Sequence, residues 1–179
     1  AGGCKLGTRT VRPHLFALES FGAKISVNDS SYDIVSQKLK PSEVVLYESG
    51  DTVTENALMA AAKMNGVSTI KYASANYMVQ DLCFFLEKLG VKIEGIGTST
   101  LVVHGKSEID VNVIYAPSED PIEAMSFLSA GIVTNSSITL NRCPIDFLEL
   151  ELLFLSKMGF RYTLSKRYVA RNGRTILVD

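Results

Sequence analysis

The feature that most constrains this chain is a helix–glycine–strand segment that occurs three times. FALESFGAKISV, CFFLEKLGVKIEGIG and LLFLSKMGFRYTLSK each close an apolar helix, place a glycine, and continue as a short alternating strand. The glycines, Gly22, Gly90 and Gly159, follow one another at intervals of 68 and 69 residues. Glycine just past a helix end accepts the left-handed backbone that closes it. Further strands follow the repeat, TLVVHG after its second copy and RYVARNG with TILVD after its third. A second matched pair lies between: TENALMAAAKMNG, closed by Gly66 and followed by the strand VSTIKYA, and PIEAMSFLSAG, closed by Gly131 and followed by the strand IVTNSSITL. EVVLYES and DVNVIYA precede the two helices as strands. The unit is therefore strand–helix–strand–helix–strand–strand, repeating at about 70 residues, and a fixed period outweighs local propensity. The fold class read from it is α/β (α+β), built of repeated units.

The phase of the repeat adds an expectation. Residues 1 to about 37 hold only the back half of a unit, one helix and its strand pair. The elements that would cover its apolar face are missing. The chain reads as a piece of something longer or a shortened descendant of it. A homodimer or a partner chain covering the incomplete unit is the corresponding expectation.

Charge narrows the function classes. Eighteen Lys and Arg stand against nineteen Asp and Glu, so no bulk field draws nucleic acid or an acidic membrane, and any anion site is local. No apolar run reaches the roughly 18 residues of a membrane span. The cysteines, Cys4, Cys83 and Cys143, are odd in number and widely spaced, which fits a reducing, cytoplasmic setting and gives no metal-ligand pattern. Neither a metal nor a cofactor is expected.

The stretch GGCKLGTR places Cys4 among three glycines with Lys5 and Arg9 beside it. Read alone, it is an exposed mobile loop able to bring a thiol to an anion, or an idle terminus. Its order, GGC–x–L–G–x–R–x–V, followed by a helix carrying His14 and by LESFGAKI, resembles the UDP-N-acetylglucosamine 1-carboxyvinyltransferases, which are enolpyruvyl transferases. The likeness continues through TENALMAAA, VQDLCFFLEKLGVKIEGIGTSTLVVHG and PIEAMSFLSAGIVTNSSITL. It covers most of this chain but only the middle of the family's longer sequence. The resemblance implies a fold of two halves, each of three such units, with substrate closed between them. Residues 1–105 would give the back half of one unit plus one full unit of the first half, and residues 110–179 the first full unit of the second. GKSEID would be the crossover.

The resemblance also implies a reaction. The enolpyruvyl group of phosphoenolpyruvate passes to the 3-hydroxyl of UDP-N-acetylglucosamine, in peptidoglycan synthesis, with release of phosphate. Cys4 matches the loop cysteine, the acid that protonates the methylene carbon and can form an adduct. Arg9 matches the arginine that contacts phosphate, for which a planar guanidinium is suited. Cys83 and Cys143 read as structural, His14 as structural or at the surface, and His104, at the end of a strand, has no catalytic companion in sequence.

Departures from the family pattern accompany the match. Thr10, Val11 and Arg12 stand where the family has Pro-Val-Asp beside the uridine, and Gly50, Asp51 and Thr52 where it has Ser-Val-Gly against the diphosphate. Val11, Arg12, Asp51 and Thr52 are the residues aligned with the sugar-nucleotide site. Asp51 would put a carboxylate where a helix N-terminus favours an anion, unless Asp51 or Thr52 simply caps the helix. Ala75–Met78 replace an Arg-Glu-Pro-Glu run, and Pro121 removes an arginine while Asp120 and Glu123 remain. The expectation is a divergent or partial enolpyruvyl transferase, catalytically incomplete as this chain alone. The alternatives are a non-catalytic binding or regulatory module, or an enolpyruvyl transferase with another acceptor.

Overall fold

The structure, a computed structural model, describes residues 10–28, 31–36 and 38–179. The chain divides into two compact units, one up to Val113 and one from Ile114 to Asp179.

The first unit opens with helix α1 (Arg12–Ser20), then strands β1 (Lys24–Val27) and β2 (Tyr32–Val35). Pro13 in the first turn fits the helix because the N–H it lacks has no intrahelical partner there. Gly22 ends the helix at φ +101°, and the N–H of Gly22 and of Ala23 return to the carbonyls of Glu19 and Leu18. β1 and β2 form an antiparallel ribbon that leaves Val27, Tyr32, Ile34 and Val35 exposed.

A complete unit follows: β3 (Glu43–Val45), α2 (Asp51–Ala62), β4 (Gly66–Lys71), α3 (Tyr77–Lys88), β5 (Lys92–Glu94) and β6 (Thr100–Gly105). This is the strand–helix–strand–helix–strand–strand order read from the repeat. The sheet runs β3-β4-β6-β5, with β3 and β4 parallel and β6 antiparallel to both β4 and β5. Burial alternates along β4 and β6, so Ser68, Ile70, Leu101 and Val103 face inward. α2 buries Val53, Ala57, Leu58 and Ala61 in a stripe against this face. At the end of β6, a Cβ on Gly105 would lie 2.1 Å from the Ala61 carbonyl oxygen and 2.3 Å from that of Met64. Only glycine lets the strand pass this close to the end of α2.

The second unit contains α4 (Pro121–Val133), β7 (Cys143–Pro144), a 3-10 turn (Ile145–Phe147), α5 (Glu149–Lys157), β8 (Tyr168–Val169) and β9 (Ile176–Val178). Asp120 caps α4, its Oδ1 accepting from the Ile122 N–H at 2.8 Å. The strands lie in the order β7-β9-β8, all antiparallel. A small core of Ile145, Leu148, Leu152 and Val178 sits beneath them. A cavity of about 550 Å³ remains, bordered among others by Leu128, Ile138, Leu152, Phe160 and Tyr162.

Several expected elements differ here. DVNVIYA and IVTNSSITL form no strand, and neither does the stretch directly after Gly159. Each carries apolar residues but gains no ladder partner, and an isolated extended segment leaves its backbone groups to water. Gly131 does not close α4: the helix runs on to Val133, and Asn135 takes the left-handed position at φ +51°. Gly131 instead makes room for Ile138, whose Cδ1 would sit 2.7 Å from a Cβ. Gly66 likewise begins β4 rather than ending α2, which stops at Ala62 with Lys63 as its C-cap.

Candidate functional site

Parallel strands β3 and β4 both run into helices at the same edge of the sheet, and in α/β sheets the space beyond the carboxyl ends of such strands is where ligands bind. There the N-termini of α2 and α3 meet. Gly50, extended at φ −92° and ψ 143°, is the N-cap of α2 and offers no side chain. The cap is therefore neither Asp51 nor Thr52. Asp51 is the first helical residue, and its carboxylate reaches across to the start of α3. Oδ1 accepts from the Ser74 hydroxyl at 2.5 Å and Oδ2 from the Asn76 side-chain amide at 2.8 Å. Asn76 in turn caps α3, its Oδ1 accepting from the Tyr77 N–H at 2.7 Å.

Thr54 completes the junction from below. Its hydroxyl donates to the Gly50 carbonyl at 2.7 Å and accepts from the Ser74 N–H at 3.0 Å, fully buried. One carboxylate thus takes side-chain donors from the α3 entry while standing in the first turn of α2, where the helix field favours negative charge. Glu55, one turn on, is raised above the usual carboxylate range, by burial first and by the charge of Asp51 second. Thr52 is exposed.

The other aligned residues lie at the start of α1. Val11 is its N-cap, and its carbonyl accepts from the N–H groups of His14 and Leu15. Arg12 is turned along its own helix: both guanidinium nitrogens lie 3.2 Å from the carboxylate oxygens of Glu19. α1 packs beside the loop that leads into α2, with Phe16 and Tyr47 edge to face at 5.1 Å. His14 Nδ1 lies 2.7 Å from the Asn56 amide, tying α1 to α2. Cys4, Lys5 and Arg9 lie outside the described residues.

Cys83 is fully buried in α3, where burial first and Glu87 second push its thiol up to about 12. Cys143 is half-buried in β7, its thiol also raised by burial and then by Asp179. His104 sits on β6 with Nε2 3.0 Å from Glu94 on β5. Among the described residues no group of three or more His, Cys, Asp or Glu could hold a metal ion. No described helix is long and apolar enough to cross a membrane.

Sequence reading singled out Asp51 but neither its partners Ser74 and Asn76 nor Thr54, which holds the Ser74 N–H. A signal existed for one of them: Asn76 stands directly before an apolar-periodic helix, the N-cap position. Nothing in the linear order pairs residue 51 with residues 74 and 76.

Comparison with known proteins bears on this arrangement. The sequence pattern of the family described as EPSP synthase (3-phosphoshikimate 1-carboxyvinyltransferase) matches residues 1–177. A UDP-N-acetylglucosamine 1-carboxyvinyltransferase of Bradyrhizobium diazoefficiens is 36% identical over 158 residues, covering 88% of this chain and 36% of the relative. One from Campylobacter hominis is 37% identical over 169 residues, 92% of this chain and 39% of the relative. The chain thus spans about two fifths of the length of these curated relatives. Among solved structures, the enolpyruvyl transferase NikO from Streptomyces tendae superposes with a TM-score of 0.73 at 21% identity, over 97% of this chain and 42% of that one. An EPSP synthase from Acinetobacter baumannii gives 0.63 at 18% identity, over 95% of this chain and 38% of that one.

Proposed function

This chain belongs to the EPSP synthase family, and on that premise we propose that the protein transfers an enolpyruvyl group from phosphoenolpyruvate to UDP-N-acetylglucosamine in peptidoglycan synthesis. The observation that carries the reading is the 36–37% identity, over about nine tenths of the chain, to enzymes named for that transfer. The activity is proposed for the whole protein, of which this chain supplies the Cys4 loop, the paired helix N-termini and the second unit. Residues 1–105 would lie in one half of that protein and 110–179 in the other, in the cytoplasm. Pairing of the exposed β1–β2 ribbon with a second copy or a partner chain belongs to the same reading.

In this proposal the Cys4 thiol protonates the methylene carbon of phosphoenolpyruvate as the sugar 3-hydroxyl bonds to the adjacent carbon. The resulting methyl group then returns a proton to the Cys4 thiolate while phosphate departs carrying the proton released by the hydroxyl, and the double bond is restored. Arg9 holds the phosphate, through two parallel N–H donors. Val11, Arg12, Asp51 and Thr52 border the acceptor.

One observation favours a second reading, an altered acceptor or a binding module without catalysis. The Asp51 carboxylate takes the Ser74 and Asn76 donors at the helix N-termini. A diphosphate brought there would meet a fixed negative charge and donors already engaged. Calorimetric titration with UDP-N-acetylglucosamine separates the readings, using the parent chain and the Cys4→Ser and Asp51→Gly variants. Micromolar binding by the parent, unaffected by Cys4→Ser, supports the sugar-nucleotide acceptor. Binding that appears only in Asp51→Gly supports the altered site, and no binding by any folded variant removes the proposed acceptor.

A further inference from the structure

The charges of the chain nearly balance overall, yet one groove of the first unit is charged with a single sign. It lies between the end of α1, the connection before β3 and the C-terminal half of α2, with a volume of about 1100 Å³. Lys38, Lys40 and Lys63 border it, and no Asp or Glu lines it among the described residues. None of the three lysines makes an ion pair among the described residues. Met59 and Met64 supply apolar surface and Asn65 an amide.

The end of α2 would oppose an anion if its carbonyls were open, because that end of a helix is negative. They are not open. The carbonyls of Ala60, Ala61 and Ala62 accept from the N–H groups of Lys63, Met64 and Lys106 at 3.3, 3.1 and 2.8 Å. The Lys63 ammonium donates to the Ser107 carbonyl at 2.9 Å, which holds its stem across the groove and leaves two of its three N–H donors for a ligand. The groove lies along the far half of α2, a helix of 12 residues and so about 18 Å long, whose other end carries the Asp51 junction.

We propose that this groove is a binding site for a small organic phosphate, its phosphate held by Lys38, Lys40 and Lys63 and its apolar body resting on Met59 and Met64. Lysine binds phosphate as a point charge with three donors, and three ammonium groups without a carboxylate partner among the described residues, set over apolar surface, match a phosphate ester better than free phosphate. The site is distinct from the Asp51 junction and independent of the enolpyruvyl-transfer reading.

The test is a nitrogen-15 NMR titration of the chain with phenyl phosphate, inorganic phosphate and phenol. Phenyl phosphate is expected to shift the amides of Lys38, Lys40, Lys63 and Asn65, to bind more tightly than inorganic phosphate, and to weaken as salt rises. Phenol alone is expected to leave them unmoved. Replacing Lys38, Lys40 and Lys63 together by Gln should weaken phenyl phosphate about tenfold or more. A control replacing Lys88, Lys157 and Lys166 by Gln removes equal charge elsewhere and should bind as the parent does. All six side chains belong to exposed residues, so both variants should stay folded. Shifts spread over the surface, equal weakening in both variants, or full affinity in the Lys38/Lys40/Lys63 variant would each overturn the site. So would inorganic phosphate binding as tightly as phenyl phosphate.

Discussion

In the unit that ends at Val113, nineteen of the described residues form one buried apolar cluster; in the unit from Ile114 onward, four do. The difference is not a shortage of apolar residues. α4 carries Ile122, Phe127 and Val133 at 61, 55 and 81% exposure, and α5 leaves Leu150, Leu153 and Phe154 exposed as well. In the first unit the sheet extends over four strands, and Ile70, Leu101 and Val103 of β4 and β6 share one buried cluster with Val53, Ala57 and Leu58 of α2 and Val79 and Cys83 of α3. In the second, three short strands cover only part of two helices that are apolar on more than one side. Apolar area stabilises a fold only where another element removes it from water.

The largest test of that contrast is Gly105→Ala. Its added Cβ would fall 2.1 and 2.3 Å from two carbonyl oxygens of the α2 end, neither of them on a movable side chain. Separation of β6 from α2 is the only relief, so the expected loss is about 4 kcal/mol or more. Urea denaturation followed by circular dichroism would register it; an unchanged midpoint would mean that the two elements are not held at this approach. Next in size is a matched pair, Leu58→Ala and Leu148→Ala. Both side chains are buried, at 0 and 2% exposure. Leu58 lies inside the large cluster, where neighbours are fixed on all sides, and its truncation should cost about 3–5 kcal/mol. Leu148 borders a cavity already present, so its surroundings relax more readily and about 2–3 kcal/mol is expected. Equal losses would erase the distinction between the two cores.

The third effect depends on pH. The Cys83 thiol is raised from an ordinary 9.0 to about 12, chiefly by burial. Its neutral form is favoured in the folded state, so this contribution is complete below about pH 9. Above that the unfolded thiol ionises while the folded one does not, and stability falls by about 1.4 kcal/mol per pH unit until the folded thiol also titrates. Tyr168 is raised too, mainly by its hydrogen bond to Asp179. Comparing the parent with Cys83→Ala between pH 8 and 11 isolates the thiol: the variant should have the shallower slope, and parallel slopes would contradict the burial of Cys83.

Legibility in the sequence divides along the same line. The period of about 70 residues gave the whole β3-to-β6 unit in order, because each alternating segment there has a partner strand and its pattern is realised as a ladder. IVTNSSITL carries a similar pattern and forms no strand, since pairing depends on what lies alongside, which a linear pattern does not contain. Gly131 misled for a related reason: glycine marks helix ends, but it also marks close packing, and only the position of Ile138 distinguishes the two. At the candidate site the importance of Asp51 could be read from its place at a helix start. Its engagement with Ser74 and Asn76 joins residues more than twenty positions apart, and no periodicity encodes that. Cys4 and Arg9 remain, with their roles, proposals carried by the resemblance.

The smallest predicted effect is the one in which the two units should agree. Gly90 and Gly159 occupy equivalent points of the repeat, at φ +85° and +89°. A Cβ at Gly159 would meet nothing within 4 Å, and one at Gly90 only the Lys106 ammonium at 3.0 Å, the far end of a flexible chain. Neither substitution therefore fills occupied space. What alanine loses is backbone freedom, because the left-handed region costs an L-residue about 1–2 kcal/mol. That cost is set by the residue's own torsion angles and not by the core beneath it. Gly90→Ala and Gly159→Ala should each lower stability by about 1 kcal/mol, measured at equilibrium in urea with each unit reported by its own probe. A loss at Gly90 with none at Gly159 would mean that the turn after α5 is free to leave the left-handed region, so that the weaker second core extends to its helix cap. Equal losses would confine the difference between the units to packing.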